Sequence, residues 1–197
     1  MRNIDTPIIS ERCKEILSIL ELRDAPRLGE KISAVLDRSG LSSDEYLELI
    51  RRLSFWEHPS LAVELSVRIA SAIQARSIST TDVTQFLQTC PLSNIGGVRV
   101  NILPSIVVAM EDESAVDASN RRIFLGYALE AAYSPNGSAV RIAAAQVLLH
   151  FFRNVTGPRE DLERESIAAA CRFLWKFGER HLRRELPSLH EVVRGEK

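Results

Sequence analysis

Two stretches of this chain, Leu61 to Ile73 and Val140 to Phe152, are apolar nearly all the way round. Their only firm charges are Glu64 and Arg68 in the first and Arg141 in the second. Apolar residues return every three or four positions, which is helical spacing, and no period-two run suggests a strand. A helix that is apolar all round must be covered on several sides. By contrast, Asp44 to Leu53 and Arg159 to Leu186 are two-faced. Alternation of covered and half-exposed helices is what stacked helical hairpins produce, since each hairpin buries its inner helix and shows its outer one to water. The expected fold is all-α, built of irregularly stacked helical hairpins. A compact helical bundle is the alternative.

Local signals place the elements. Cys13, Ile16, Leu17 and Leu20 mark a helix starting near Ser10, and Leu28, Ile32, Val35 and Leu36 mark a second, ended by Gly40. Ser42 and Glu45 have the form of a capping box, in which each side chain satisfies a free backbone N–H. That box opens a third helix carrying Tyr46, Leu49, Ile50 and Leu53. Pro59 suits a first helical position, and the helix it opens runs to about Arg76. Ser79 and Asp82 form a weaker box before Val83, Phe86, Leu87 and Cys90. Pro104 lies within the next apolar stretch and predicts either a kink or a helix that begins there. Ile123, Tyr127 and Ala131 mark another helix. Ser134-Pro135-Asn136-Gly137 is a turn, because Pro fixes one dihedral and Gly permits positive φ. Helices are then expected over 138–154 and from Arg159 to Leu186, where Pro187 ends the last one. Gly178 lies inside it, and Gly157-Pro158 separates the two. The total is nine or ten helices in one domain spanning residues 1–197.

Bulk chemistry excludes several classes. Lys and Arg number 25 against 26 Asp and Glu, a net charge of −1, which exerts no general pull on nucleic acid or an anionic membrane. Cys13, Cys90 and Cys171 are scattered and form no CxxC pair, so buried thiols in a reducing compartment are expected rather than disulfides or zinc. The uncharged stretch Val83 to Val98 is broken by Pro91 and Gly96-Gly97 and falls short of the roughly 20 apolar residues of a spanning helix. Met1 to Thr6 is followed by no signal-like apolar run. A soluble, cytoplasmic protein without a membrane association is therefore expected.

The run Val140-Arg141-Ile142-Ala143-Ala144-Ala145-Gln146-Val147-Leu148 resembles the second helix of a HEAT repeat. The family pattern VRxxAAxxL is matched at Val140, Arg141, Ala144, Ala145 and Leu148, with Pro135 where the family usually carries Asp. Val67-Arg68-Ile69-Ala70 and Val98-Arg99-Val100 are weaker echoes, with arginines spaced by 31 and 42 residues. The longer spacing is within the range of such repeats. The resemblance implies a HEAT-like α-solenoid whose small residues, Ala144 among them, let neighbouring helices approach closely.

No phosphate-cradling loop and no HExxH is present. His181 and Glu185 are spaced to share a metal but read as a surface pair. His150 beside Phe151 reads as a histidine bonded to backbone near a helix end rather than a base. No catalytic set, metal or organic cofactor is expected. Two features are candidates for partner binding. Phe55 and Trp56 stand at a helix junction, where they either form a hot spot or pack two helices together. Arg172, Lys176, Arg180 and Arg184 recur every four residues and line one helical face, interleaved with Phe173, Trp175 and Phe177. That stripe either meets phosphates or an acidic protein, or answers the helix dipole, with Glu160, Asp161, Glu163 and Glu165 at the other end. Glu111, Asp112, Glu113 and Asp117 read as a solvated loop.

The expected function is a non-enzymatic protein-binding helical-repeat module: an adaptor, an inhibitor or an immunity-type protein. A nucleic-acid enzyme such as an alkylated-base DNA glycosylase is an alternative that the HEAT resemblance permits. Those enzymes have a strongly basic concave face, and the net charge of −1 counts against one here. A homo-oligomeric structural domain, its apolar surface met by a second copy, is the other alternative.

Overall fold

The capping box at Ser42 is formed. The Ser42 hydroxyl accepts from the Glu45 N–H at 3.3 Å, and the Glu45 carboxylate accepts from the Ser42 N–H at 2.7 Å. The computed structural model describes residues 11–20, 34, 36, 41–53, 59–111, 117–135, 137–154, 161–177, 190, 192 and 194. Among these lie eight α-helices, one 3-10 turn and no strand. They are α1 (Glu11–Leu20), α2 (Ser43–Arg52), α3 (Pro59–Gln74), α4 (Thr80–Thr89), the 3-10 turn Pro91–Asn94, α5 (Gly96–Met110), α6 (Ala118–Tyr133), α7 (Gly137–Asn154) and α8 (Asp161–Phe177). The all-α expectation holds.

Side chains written into the sequence start several of these helices. Pro59 opens α3, and Ser79 caps α4 by accepting from the Asp82 N–H at 3.1 Å. Asp117 caps α6 by accepting from the Asn120 N–H at 2.7 Å. Its carboxylate is therefore a helix start, not merely part of an acidic loop. Gly137 has φ +64, the positive value expected of the turn before α7. α5 begins at Gly96, so the helix runs through Pro104 rather than starting at it. The 3-10 turn before it was not legible as an element, since Pro91 and Asn94 fit any loop. The helix expected over Leu28 to Leu36 lies mostly outside the described residues, though Ala34 and Leu36 are helical and Leu36 is buried. Gly157-Pro158 and the extension of the last helix to Leu186 also lie outside them.

Packing follows the apolar faces. α5 contacts both α3 and α7, and α6 contacts both α4 and α8. Cross-links join these sets, α2 to α3 and α7 to both α6 and α8. Leu65, Ile69, Ile102, Ile106, Phe124, Ala144, Leu148 and Leu174 are buried in one continuous core. Close approach is required where α3 meets α5: a Cβ added at Gly97 would lie 2.6 Å from Val63 Cγ2. The same crossing is tied by Asn101, whose Nδ2 donates to Ser66 Oγ at 2.8 Å and to the Val63 carbonyl at 3.3 Å. All three cysteines are buried. No helix among the described residues is long and apolar enough to cross a membrane.

Candidate functional site

α5 has one charge, Arg99, and that side chain is buried. Val98, Ile102, Leu103, Ser105, Ile106 and Met110 make its core face. The opposite face carries Val100, Asn101, Pro104, Val107 and Val108, all half-buried and none charged. Asn101, its polar member, is already bonded to α3. On the neighbouring helix, Val67 is 47% exposed, with Ser60, Ser71 and Gln74 also exposed. On α7, Ile142 is half-buried and Gln146 exposed. The charges of these flanking helices are few: Glu64 and Arg68 on α3, Arg141 and Arg153 on α7. α2 and α8 are far richer in Asp, Glu, Lys and Arg. Charge is thus segregated away from the α3, α5 and α7 surface, and depletion of charge is what marks the centre of a protein interface.

Arg99 itself holds a buried polar junction. Its Nη2 donates to Asn94 Oδ1 at 2.7 Å and lies 2.9 Å from Glu130 Oε1. The guanidinium sits 5.4 Å from the centre of the Tyr127 ring. Tyr127 in turn donates to the Ser93 carbonyl at 2.5 Å, and burial pushes its hydroxyl above the ordinary phenol range. The Glu130 side chain is 64% exposed, so the pair reaches from core to surface. A buried cation needs such partners to offset its lost hydration. Two turns before Tyr127 on α6, Asn120 Oδ1 accepts from the Thr84 hydroxyl at 2.8 Å. These groups join the 3-10 turn, α4, α5 and α6, and their role is structural. Sequence reasoning missed this junction, because Arg99 lies among apolar residues with no pairing signal on its own helix.

Of the predicted binding residues, Arg172 and Lys176 are both exposed on α8. Phe55, Trp56, Arg180 and Arg184 lie outside the described residues, as do His181 and Glu185. Phe173 is half-buried against Tyr133 of α6, with ring centroids 4.8 Å apart at 52°. Trp175, also half-buried, meets the His190 ring at 5.0 Å. His150 faces the Asn154 side-chain amide at 3.1 Å, a side-chain contact within its own helix. Burial raises the Cys171 thiol to about 12 and also raises Cys90, so neither carries a thiolate near neutrality. No group of three or more metal-ligating side chains occurs among the described residues.

No protein-family model matches the chain, and neither a curated protein nor a solved structure does.

Proposed function

We propose that this chain is a protein-binding module that takes an apolar segment of another protein on the α3, α5 and α7 surface. The observation that carries the reading is the charge-free, half-buried face of α5, Val100, Pro104, Val107 and Val108, beside the exposed Val67. Water gains little from such a surface, whereas a partner that covers it removes apolar area from water. A charged ligand such as nucleic acid finds few cations there. The arrangement is read as HEAT-like stacked hairpins, α3, α5 and α7 being the inner helices. Support comes from the contacts of α5 with both α3 and α7 and from the VRxxAAxxL run on α7. An adaptor, inhibitor or immunity-type protein would use such a face, and a reducing, cytoplasmic setting suits its buried thiols.

The test pairs surface variants. Proteins retained by the parent chain are compared with those retained by Val67→Glu/Val108→Glu and by Arg172→Gln/Lys176→Gln. Loss of a specific partner in the first variant, with retention in the second, is the expected result. Equal retention by all three proteins removes the α5 face as the site. Light scattering on the parent distinguishes self-association: a dimer dissolved by Val67→Glu/Val108→Glu would replace the partner with a second copy.

A further inference from the structure

We infer that the chain pairs with a second copy of itself through the outward face of α6, the two helices running antiparallel about a two-fold axis at Gly126. Gly126 stands in the middle of α6 and is exposed, and a Cβ added there would meet nothing within 4 Å. Glycine weakens a helix interior relative to alanine. Gly97 is explained by its contact with Val63, whereas no neighbour within the fold requires glycine at position 126. Close approach of another backbone is the use that glycine serves at such a place.

The order of residues about Gly126 is what selects a second copy. Ile123 and Leu129 stand three positions to either side of it, Arg122 and Glu130 four, and Ser119 and Tyr133 seven. These spacings share one helical face. Ile123 and Leu129 are half-buried and the other four are exposed. In an antiparallel pair, a two-fold axis sets each position opposite the one equally far on the other side, and every contact occurs twice. Arg122 then meets the partner's Glu130, and Ile123 meets the partner's Leu129. A parallel pair would set like charges together, so charge fixes the direction. Arg122 makes no ion pair among the described residues. Glu130 holds Arg99 through Oε1 at 2.9 Å, yet its side chain is 64% exposed, and a carboxylate has acceptor sites for two guanidinium groups. An unrelated protein would have to supply the same two opposed charges at the same spacing, whereas a second copy carries them by construction.

This pairing does not rest on the α5 face, and its test is independent. Sedimentation equilibrium of the full chain is measured at concentrations up to about 1 mM, which detects even millimolar affinity. A concentration-dependent dimer is expected. Gly126→Leu places a side chain on the axis and should weaken the dimer about tenfold or more. The same change should raise the urea midpoint of the dilute chain, because leucine is the better helix former and the position is open. Arg122→Glu sets a like charge against the partner's Glu130 and should weaken the dimer as much, with parent-like circular dichroism. Val67→Glu/Val108→Glu should pair like the parent. Oxidation reads the geometry, since the three native cysteines are buried. Gly126→Cys should form a covalent dimer. Arg122→Cys should not, because its two thiols would lie about 12 Å apart along the helices, beyond the roughly 7 Å that a disulfide spans between Cα atoms. A monomer at every concentration, an undiminished dimer in Gly126→Leu or Arg122→Glu, its loss in Val67→Glu/Val108→Glu, or equal cross-linking at both cysteine positions would overturn the proposal.

Discussion

The Tyr127 hydroxyl donates to the Ser93 carbonyl at 2.5 Å, tying the middle of α6 to the 3-10 turn that precedes α5. Both partners are buried. Tyr127→Phe keeps the ring beneath Arg99 but leaves that carbonyl without its donor. The expected cost is about 1–3 kcal/mol, the desolvation penalty of an unpaired buried acceptor. Urea unfolding of parent and variant measures it, and coincident midpoints would refute it.

The α3–α5 crossing predicts a reversal of sign. Gly97→Ala places a Cβ 2.6 Å from Val63 Cγ2, a contact that forces one helix or the valine to move. Valine is stiff at χ1, so it yields poorly, and overpacking costs roughly 1–3 kcal/mol. In a Val63→Ala background the obstruction is gone and the better helix propensity of alanine remains. Gly97→Ala should therefore destabilise the parent and stabilise the Val63→Ala variant. A double-mutant cycle with no coupling would contradict this.

Ala144 is fully buried in α7. Ala144→Leu adds three heavy atoms at a position closed to solvent, and such overpacking costs roughly 1–3 kcal/mol. Denaturant midpoints again decide the matter, and Ala139→Leu, an exposed position on the same helix, serves as the control expected to change little.

Alkaline pH should weaken the fold through Cys171. Burial raises its thiol from 9.0 to about 12. The folded chain therefore keeps a proton that the unfolded chain loses. This contribution to stability is fully present below pH 9.0 and disappears as pH rises towards about 12. Each such thiol gives a slope of at most about 1.4 kcal/mol per pH unit. Cys90 contributes in the same direction. Cys171→Ala should thus lower overall stability yet flatten the dependence on pH above 9.0. Parallel slopes in parent and variant, measured by denaturation in the presence of reductant, would rule this out.

Much of the local structure was legible because its causes are local. The Ser42 box, the Ser79 cap, Pro59 at a helix start and the Gly137 turn each depend on backbone groups within a few residues. The burial of Leu65, Ile69, Ala144 and Leu148 followed from apolar spacing on their own helices. Asp117 is exposed and outside the helix, as a solvated loop residue would be, but its capping role was not legible, because only the Asn120 N–H distinguishes an N-cap from any other loop carboxylate. Arg172 and Lys176 were recognisable as one exposed stripe, since the four-residue period is itself a helical property.

What the sequence by itself determined is the all-helical class, the starts of the helices and the side of each that turns inward, because these follow from covalent neighbours and a repeat of 3.6 residues. Only the tertiary structure decided which charges and rings meet. Arg99 finds Glu130 across 31 positions, and Tyr133 finds Phe173 across 40. It also showed that the uncharged face of α5 lies between flanking helices that leave Val67 exposed. Such encounters depend on how whole helices pack, and packing is set by the summed fit of many side chains rather than by any pattern within one segment.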